Sequence, residues 1–364
     1  MRRTPHLPLF AFAGVALALT PVMARAQGDA GLTSRAAVHV VGYTFTTGDQ
    51  KIALTQIAAP IAAIYQATER LSFDLATAYA RVDGRHRAGS ETRTSDIAGL
   101  TDTQLRGSYV FGQDAVIVTL GANLPTGQAT ATEEQFLAAG LIGNDFLLFP
   151  ISSMGSGLAA TGGIALARAF GAWNAGLGAS MRRAAEYEPY EFNGVRAHYQ
   201  PGDEYRARLG LDRVLGDGRV ALGATWSTFG SDVSGSTTFA TGDRFAVQGG
   251  WSGVLAGGEY QVAGWNLYRA RGKRADGTDA APENIANLSV GGSYGLSALA
   301  FEPNVEYRAL SGRGRSGSLA TAGLRARWTL GALQLAPGGS YSAGKLDALD
   351  VTGWRASITA RLVP

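Results

Sequence analysis

Alternation of side-chain polarity with a period of two residues runs through most of the chain and limits what it can fold into. In the segment Tyr205–Phe229, apolar residues such as Leu209 and Leu211 alternate with charged ones, and the sequence GDG at Gly216–Gly218 leads into a second alternating stretch. Side chains of a β-strand point to opposite faces in turn, so each strand has one apolar and one polar face. Glycine-containing turns between such strands are typical of β-hairpins. The pattern predicts an antiparallel all-β protein.

The same hairpin unit recurs in Thr101–Pro125, Phe245–Arg269, Asn287–Leu310 and Ser318–Tyr341. Counting these units predicts about 16 strands, with 14 as the alternative because the first pair is the least distinct. The expected strands are 35–46, 51–64, 70–82, 100–111, 115–124, 158–170, 173–183, 204–215, 219–229, 243–253, 259–269, 285–295, 298–310, 318–330, 332–342 and 353–363.

Residues 1–26 have the features of an export signal. Arg2 and Arg3 precede the apolar run Leu9–Thr20, and small residues at Ala24 and Ala26 provide a cleavage site before Gln27. A retained membrane anchor is the alternative. The signal contains three arginines and no acid, which accounts for the whole formal charge of +3, so the basic pI is no argument for nucleic-acid binding.

A mature domain at residues 27–364 is therefore expected outside the cytoplasm. It has no cysteine, so disulfides cannot stabilise it. Strands of about 10 to 13 residues, short turns alternating with longer loops, and one apolar face per strand favour a transmembrane up-and-down β-barrel in the outer membrane. Barrel closure removes the unpaired sheet edges that a bilayer would penalise. A soluble β-sandwich is the alternative.

The segment 125–157 is the longest predicted connection and lies on the outer side of this barrel. Within it, Thr132 precedes two acids and an apolar spacing typical of a short capped helix, and the apolar stretch Phe146–Phe149 follows before Pro150. An exposed apolar patch of this kind is unfavourable, so the loop is expected to fold into the barrel mouth or to pack against other loops. A low-affinity solute-binding surface is one hypothesis for it, formed by Phe136, Leu141, Phe146, Leu147, Leu148 and Phe149. Packing for rigidity alone is the other.

Two segments resemble a known group of proteins. Gln56–Val82 and Thr101–Gly127, which ends in LPTG at Leu124–Gly127, resemble outer-membrane barrels related to the long-chain fatty acid and aromatic hydrocarbon transporters. The resemblance is closest to the branch associated with the phenol-degradation meta pathway. It implies a transport barrel, although the chain is too short before its first strand for the plug of the fatty-acid transporters. The final Pro364 also departs from the terminal aromatic residue that the barrel assembly machinery reads.

The polar faces of the strands are expected to line the lumen, where they would pair with one another or select ions. These lumen residues are Asp102, Arg106, Arg206, Arg208, Asp212, Glu302, Glu306, Arg325, Arg327, Arg355 and Arg361. Aromatic residues expected at the membrane interfaces are Tyr109, Trp173, Tyr205, Trp226, Trp251, Tyr307, Trp328 and Trp354. The basic runs Arg269–Arg274 and Gly312–Arg315 fall in expected outer loops, where they would meet lipopolysaccharide phosphates.

Together these features predict a passive outer-membrane channel for small hydrophobic or amphipathic solutes, without a cofactor. The mature histidines His39, His86 and His198 have no metal-ligand spacing. A structural or adhesive barrel is the alternative, and a barrel hydrolase with a set of Ser, His and Asn or Asp is a second one.

Overall fold

The computed structural model describes residues 31–112, 116–255, 257–274 and 276–362; the expected signal peptide lies outside them. The spanning strands are β1 (Gly31–Thr47), β2 (Gln50–Gln66), β3 (Leu71–Ala88), β4 (Glu91–Leu100), β5 (Thr103–Phe111), β6 (Val116–Leu124), β8 (Ala159–Phe170), β9 (Trp173–Ala184), β12 (Glu204–Leu215), β13 (Gly218–Phe229), β16 (Arg244–Leu255), β17 (Gly258–Arg269), β18 (Glu283–Leu296), β19 (Leu299–Gly312), β20 (Arg315–Leu330), β21 (Leu333–Leu346) and β22 (Leu349–Leu362). The shorter elements are β7 (Ala131–Thr132), a 3₁₀ turn (Glu133–Gln135), α1 (Phe136–Ile142), β10 (Tyr187–Phe192), β11 (Val195–Gln200), β14 (Ser231–Ser234) and β15 (Thr237–Ala240).

The spanning strands form one closed antiparallel barrel. β4 and β5 both pair with β3 and are the two halves of one barrel strand. Counted in this way, the barrel has 16 strands. The barrel closes between the first and last strands, where β1 pairs with β22 from Arg35↔Arg361 to Thr46↔Asp350. This confirms the predicted fold and excludes the 14-strand alternative.

The two ends of the barrel differ. One end, which we call the turn end, carries the N-terminal end of β1 and the C-terminal end of β22. It also carries the short connections after β2, β5, β8, β12, β16, β18 and β20. The other, the loop end, carries the segment between β6 and β8 and the small sheet of β7, β10, β11, β14 and β15. Four connections at the loop end, after β1, β3, β19 and β21, are as tight as those at the turn end, which the sequence did not predict. The strands beside them are longer instead, as in β3 with 18 residues.

The exterior of the barrel is apolar. Leu105, Leu209, Val247, Leu288 and Ile358 are exposed, and each belongs to the face of its strand opposite the charged residues. A continuous exposed apolar surface of this kind requires lipid as its solvent. No helix among the described residues has the length and apolar character to cross a membrane.

The alternation can be tested by cysteine substitution, since the chain contains no cysteine of its own. On β12, Arg206→Cys should react with a water-soluble charged thiol reagent in lipid vesicles, because this position faces the lumen. Leu209→Cys should be protected, because it faces lipid, and both variants should react equally after denaturation. Protection of Arg206→Cys together with labelling of Leu209→Cys would contradict the assigned faces.

Candidate functional site

The loop between β6 and β8 is clamped at its base by one buried aspartate. Asp102 lies in the break between β4 and β5 and accepts hydrogen bonds from the backbone N–H of Gly127 at 3.1 Å and of Ser156 at 2.6 Å. It also accepts one from the Asn123 side chain at 2.8 Å. Asp102 was predicted to line the lumen, but its oxygens are used to hold both ends of the loop together.

The base of the loop leaves no space for a side chain at Gly127. A Cβ placed there would lie 2.0 Å from the carbonyl oxygen of Met154 and 2.7 Å from the backbone nitrogen of Asp102. Such contacts with backbone atoms cannot be relieved by a rotamer change. The glycine that ends the LPTG stretch is therefore needed for the close approach of the two loop ends.

The first part of the loop forms the short helix that the sequence predicts. Gln135 accepts a hydrogen bond from the backbone N–H of Thr132 at 3.1 Å, which closes the first turn before α1. Ala138 and Ile142 are buried on one side of α1. On another side, Phe136 contacts the rings of Tyr190 and Phe192, with centroids 5.6 and 4.9 Å away.

The apolar stretch after the helix turns into the barrel and packs against its inner wall. Phe146 and Leu147 are 0 % exposed and Phe149 is 5 % exposed. They belong to one apolar cluster with inward side chains of β1, β2, β3, β4 and β18 to β22. The wall residues of this cluster are Val41, Tyr43, Phe45, Leu54, Ala58, Ala80, Val82, Ile97, Ile285, Leu310, Leu319, Leu346 and Val351. The loop is thus the core of the loop end of the barrel.

Three consecutive backbone carbonyls of this stretch accept hydrogen bonds from three different strands. The Phe146 carbonyl accepts one from Arg308 on β19, and the Leu147 carbonyl accepts one from the Tyr43 hydroxyl on β1 at 2.8 Å. The Leu148 carbonyl accepts one from Arg355 on β22 at 2.9 Å. These bonds satisfy polar groups that the apolar surroundings would otherwise leave unpaired.

Two further contacts fix the ends of the stretch. The Gln56 amide on β2 donates to the Ile151 carbonyl at 2.7 Å and accepts from the Ile151 backbone N–H at 3.0 Å. Asp145 forms an ion pair with Arg269 on β17 at 2.8 Å. We call the loop segment Asp145–Ile151 with its five wall partners the loop latch.

The latch holds the backbone of Leu148 in an unfavourable conformation. Its φ is +51°, in the left-handed region, which costs a residue with a side chain about 1 kcal/mol or more. The hydrogen bonds that the Leu147 and Leu148 carbonyls accept offset that cost.

Three of the six residues in the predicted solute-binding surface are buried. Phe146, Leu147 and Phe149 pack against the wall and offer no surface to a solute in this arrangement. The apolar wall residues of the barrel cover these three side chains. Phe136, Leu141 and Leu148 remain partly exposed, and their part in solute contact stays a prediction.

Several of the predicted lumen charges form ion pairs with charged side chains on the same or a neighbouring strand. Arg106 pairs with Asp74 at 2.8 Å, and Arg219 on β13 pairs with Asp212 at 2.9 Å. Arg206 pairs with Glu204, and Arg308 pairs with Glu306. Near the turn end, Glu302 contacts Arg325 and also Arg327, the latter at 2.9 Å.

Arg269 differs from its expected position. It was placed in a basic outer loop, but it is the last residue of β17 and points inward to Asp145. In contrast, Arg271, Lys273 and Arg274 lie in the connection after β17 and are exposed. Arg315 follows a tight turn and lies between Glu283 at 3.6 Å and Asp347 at 3.5 Å.

The predicted interfacial aromatic residues lie on the outer surface. Seven of them are exposed to the exterior, whereas Trp251 is partly covered. Their depth in a bilayer stays a prediction. Trp265, which was not included, has the opposite orientation and packs against the apolar cluster inside the barrel.

A second buried aspartate organises the small sheet at the loop end. Asp232 accepts hydrogen bonds from the Tyr199 hydroxyl at 3.0 Å, the Gly202 backbone N–H at 2.9 Å and the Thr241 hydroxyl at 2.8 Å. Burial raises the pKa of the Tyr199 hydroxyl most, and the nearby negative charge of Asp232 raises this pKa further. Tyr199 therefore stays protonated and keeps donating to Asp232.

The described residues contain no group of three or more His, Asp or Glu side chains placed to hold a metal ion. His39 lies on the lumen face of β1, opposite Ser357 of β22. A catalytic set that acts on lipid needs access to the outer surface of the barrel. The position of His39 therefore does not suit a lipase.

Solved structures with a similar fold are outer-membrane proteins. OprB of Pseudomonas putida has 11 % identity and a TM-score of 0.47, with 90 % of this chain and 92 % of that chain covered. The monoaromatic hydrocarbon channel CymD has 11 % identity and a TM-score of 0.46, with coverages of 97 % and 95 %. The anion-selective porin of Comamonas acidovorans has 15 % identity and a TM-score of 0.43, with coverages of 92 % and 100 %.

At these sequence identities and TM-scores, the similarity is one of overall architecture and carries no argument about function. No protein-family model matches the chain, and no curated protein sequence does so.

Asp102→Asn should loosen the base of the loop. An amide offers one acceptor oxygen where the carboxylate uses two, so a buried backbone N–H of Gly127 or Ser156 loses its partner at a cost of about 1–3 kcal/mol. We expect faster proteolytic cleavage between residues 125 and 157 in detergent, measured by mass spectrometry. Asp83→Asn is the matched control, because Asp83 pairs with Arg81 on the exposed outer surface. Equal cleavage rates in wild type and both variants would contradict the clamp.

Proposed function

We propose that the protein is a passive channel of the outer membrane for small amphipathic solutes. The observation that supports this most is the position of the latched loop. It covers the inner wall on β1 to β4 and β18 to β22 and leaves the inward faces of β6, β8, β9, β12, β13 and β16 outside the apolar cluster. A passage beside the loop would therefore have one partly apolar side and one polar side.

The two sides of this passage suit an amphipathic solute. Leu141 and Leu148 keep exposed surface on the loop, while Arg206 and Arg208 project from β12 on the uncovered wall. Apolar contact and charge contact are thus available within one constriction. Transport by this route needs no cofactor and follows the concentration gradient of the solute.

The exterior fits the same proposal. Exposed apolar and aromatic side chains would contact outer-membrane lipid, and the cations Arg271, Lys273 and Arg274 at the loop end would contact lipopolysaccharide phosphates. Insertion would depend on the barrel assembly machinery. An adhesive barrel without transport is the competing function, and it would use the small sheet at the loop end.

Replacing residues 131–153 by a short Gly–Ser linker should increase the conductance of the protein in planar bilayers several-fold, because it removes the apolar cluster from the lumen. The control is the same kind of replacement at residues 234–237, the tip of the β14–β15 hairpin, which should leave conductance unchanged. In liposome-swelling assays, wild type should admit L-phenylalanine faster than its size predicts from L-serine, and the loop variant should lose this preference.

Each part of the proposal has its own contrary result. Absence of conductance in the folded wild type would reject the channel and favour adhesion. Conductance without a preference for L-phenylalanine would reject the amphipathic solute and retain the channel. Unchanged conductance in the loop variant would show that the loop does not constrict the lumen.

A further inference from the structure

Most acidic residues of the lumen are already neutralised by arginines. Asp74, Glu204, Asp212, Glu302 and Glu306 each lie within ion-pair distance of an arginine on the same or a neighbouring strand. Their charge is therefore not available to a passing cation. What a solute meets depends on the arginines that remain.

Two such arginines face each other at the turn end. Arg35 on β1 and Arg361 on β22 are direct cross-strand partners, on the same faces as the latch residues Tyr43 and Arg355. Residues in this relation have Cβ atoms about 5 Å apart, and like charges there destabilise a sheet. Within the described part of the chain, no carboxylate lies at ion-pair distance from either guanidinium. Both side chains are exposed inside the barrel, where water or a counter-ion can reach them.

The surrounding wall adds positive charge. Arg325 and Arg327 on β20 project into the same end of the lumen, and both contact the single carboxylate of Glu302. Among the described residues, these four arginines lie near Glu302, and the next acid at this end, Asp74 on β3, pairs with Arg106. Glu259, a lumen acid of the described residues outside these pairs, lies three strands from β20, on β17.

Arginines also line the wall opposite. In the 16-stranded barrel, β12 lies eight strands from β22 and therefore on the opposite side of the lumen. It carries Arg206, which pairs with Glu204, and Arg208. Arg244 on the nearby β16 stacks over the Phe229 ring at 5.2 Å. A solute that passes the loop would meet these arginines first and the turn-end arginines afterwards.

We propose that the lumen selects small organic anions, with carboxylates as the preferred class, and that Arg35 and Arg361 form its turn-end anion site. Two guanidinium groups on adjacent strands attract anions, and the planar fork of arginine matches the two oxygens of a carboxylate. Rings of such residues give anion selectivity to pores. This inference rests on the proposed channel function and specifies the charge of the polar end of its solute.

The test is the reversal potential of single channels in a KCl gradient, followed by replacement of chloride with benzoate. Wild type should prefer chloride over potassium and should conduct benzoate. Arg35→Gln/Arg361→Gln should lower the chloride-to-potassium permeability ratio several-fold and reduce benzoate current, without loss of conductance for potassium. The matched control is Arg85→Gln/Arg87→Gln, which removes the same charge from the outer face of β3 and should retain the wild-type ratio.

The outcomes separate the two proposals. If wild type forms no channel, the proposed function fails. If it conducts but prefers potassium, or if the double variant retains the wild-type ratio, the anion site is wrong and the channel stands. Retained heat-modifiable migration on gels shows that each variant is folded, and Arg361→Gln alone provides a milder change with a smaller expected shift. An equal shift in the control variant would assign the selectivity to surface charge instead.

Discussion

Three backbone carbonyls in the middle of the barrel decide how the loop end is organised. A segment that buries Phe146 and Leu147 completely also removes its own backbone from water, and each unpaired carbonyl would cost about 1–3 kcal/mol. Arg308, Tyr43 and Arg355 supply the missing donors from three strands. Because the donors are fixed to the wall, they also fix the position of the loop. Burial of the two side chains adds about 1.5–3 kcal/mol each.

This arrangement explains the uneven barrel. The strands that contact the loop, such as β1, β2 and β3, have 17 or 18 residues, whereas those of the uncovered wall, such as β9 and β12, have 12. The long strands carry an apolar inner face at the loop end because the loop, and not water, lies against it. The uncovered wall remains polar, and its charged side chains define the passage. A chain without disulfides gains a second core in this way, in addition to its closed sheet.

The strands were predictable from sequence because polarity alternation acts locally. The limits of β9 and β12 agree with the prediction to within one residue. The extensions of β3 and β4 were missed because Arg81, Asp83 and Arg85 make the outer face of β3 polar near the loop end. A strand with polar residues on its outer face resembles a loop in sequence.

The position of the loop against the inner wall of the barrel could not be predicted in the same way. Its partners are distant in the chain: Tyr43 and Leu147 are 104 residues apart, and Leu148 and Arg355 are 207 apart. An inward arginine that binds a carbonyl has the same sequence pattern as one that faces water. One signal was present in β1, where Val38 and Val40 lie on one face of the strand and Val41, Tyr43 and Phe45 make the other face apolar as well. A two-sided apolar strand in a barrel with a polar lumen indicates that something apolar covers its inner face.

Hydrogen–deuterium exchange at residues 145–151 tests this account most directly. The backbone N–H groups of Phe146, Leu147 and Ile151 donate to Asn144 Oδ1, the Asn144 carbonyl and Gln56 Oε1, inside an apolar cluster. We therefore expect protection close to that of the neighbouring barrel strands and well above that of the exposed connection after β17. Exchange of these amides as fast as in that exposed connection would show that the loop does not rest against the wall, and would contradict the latch.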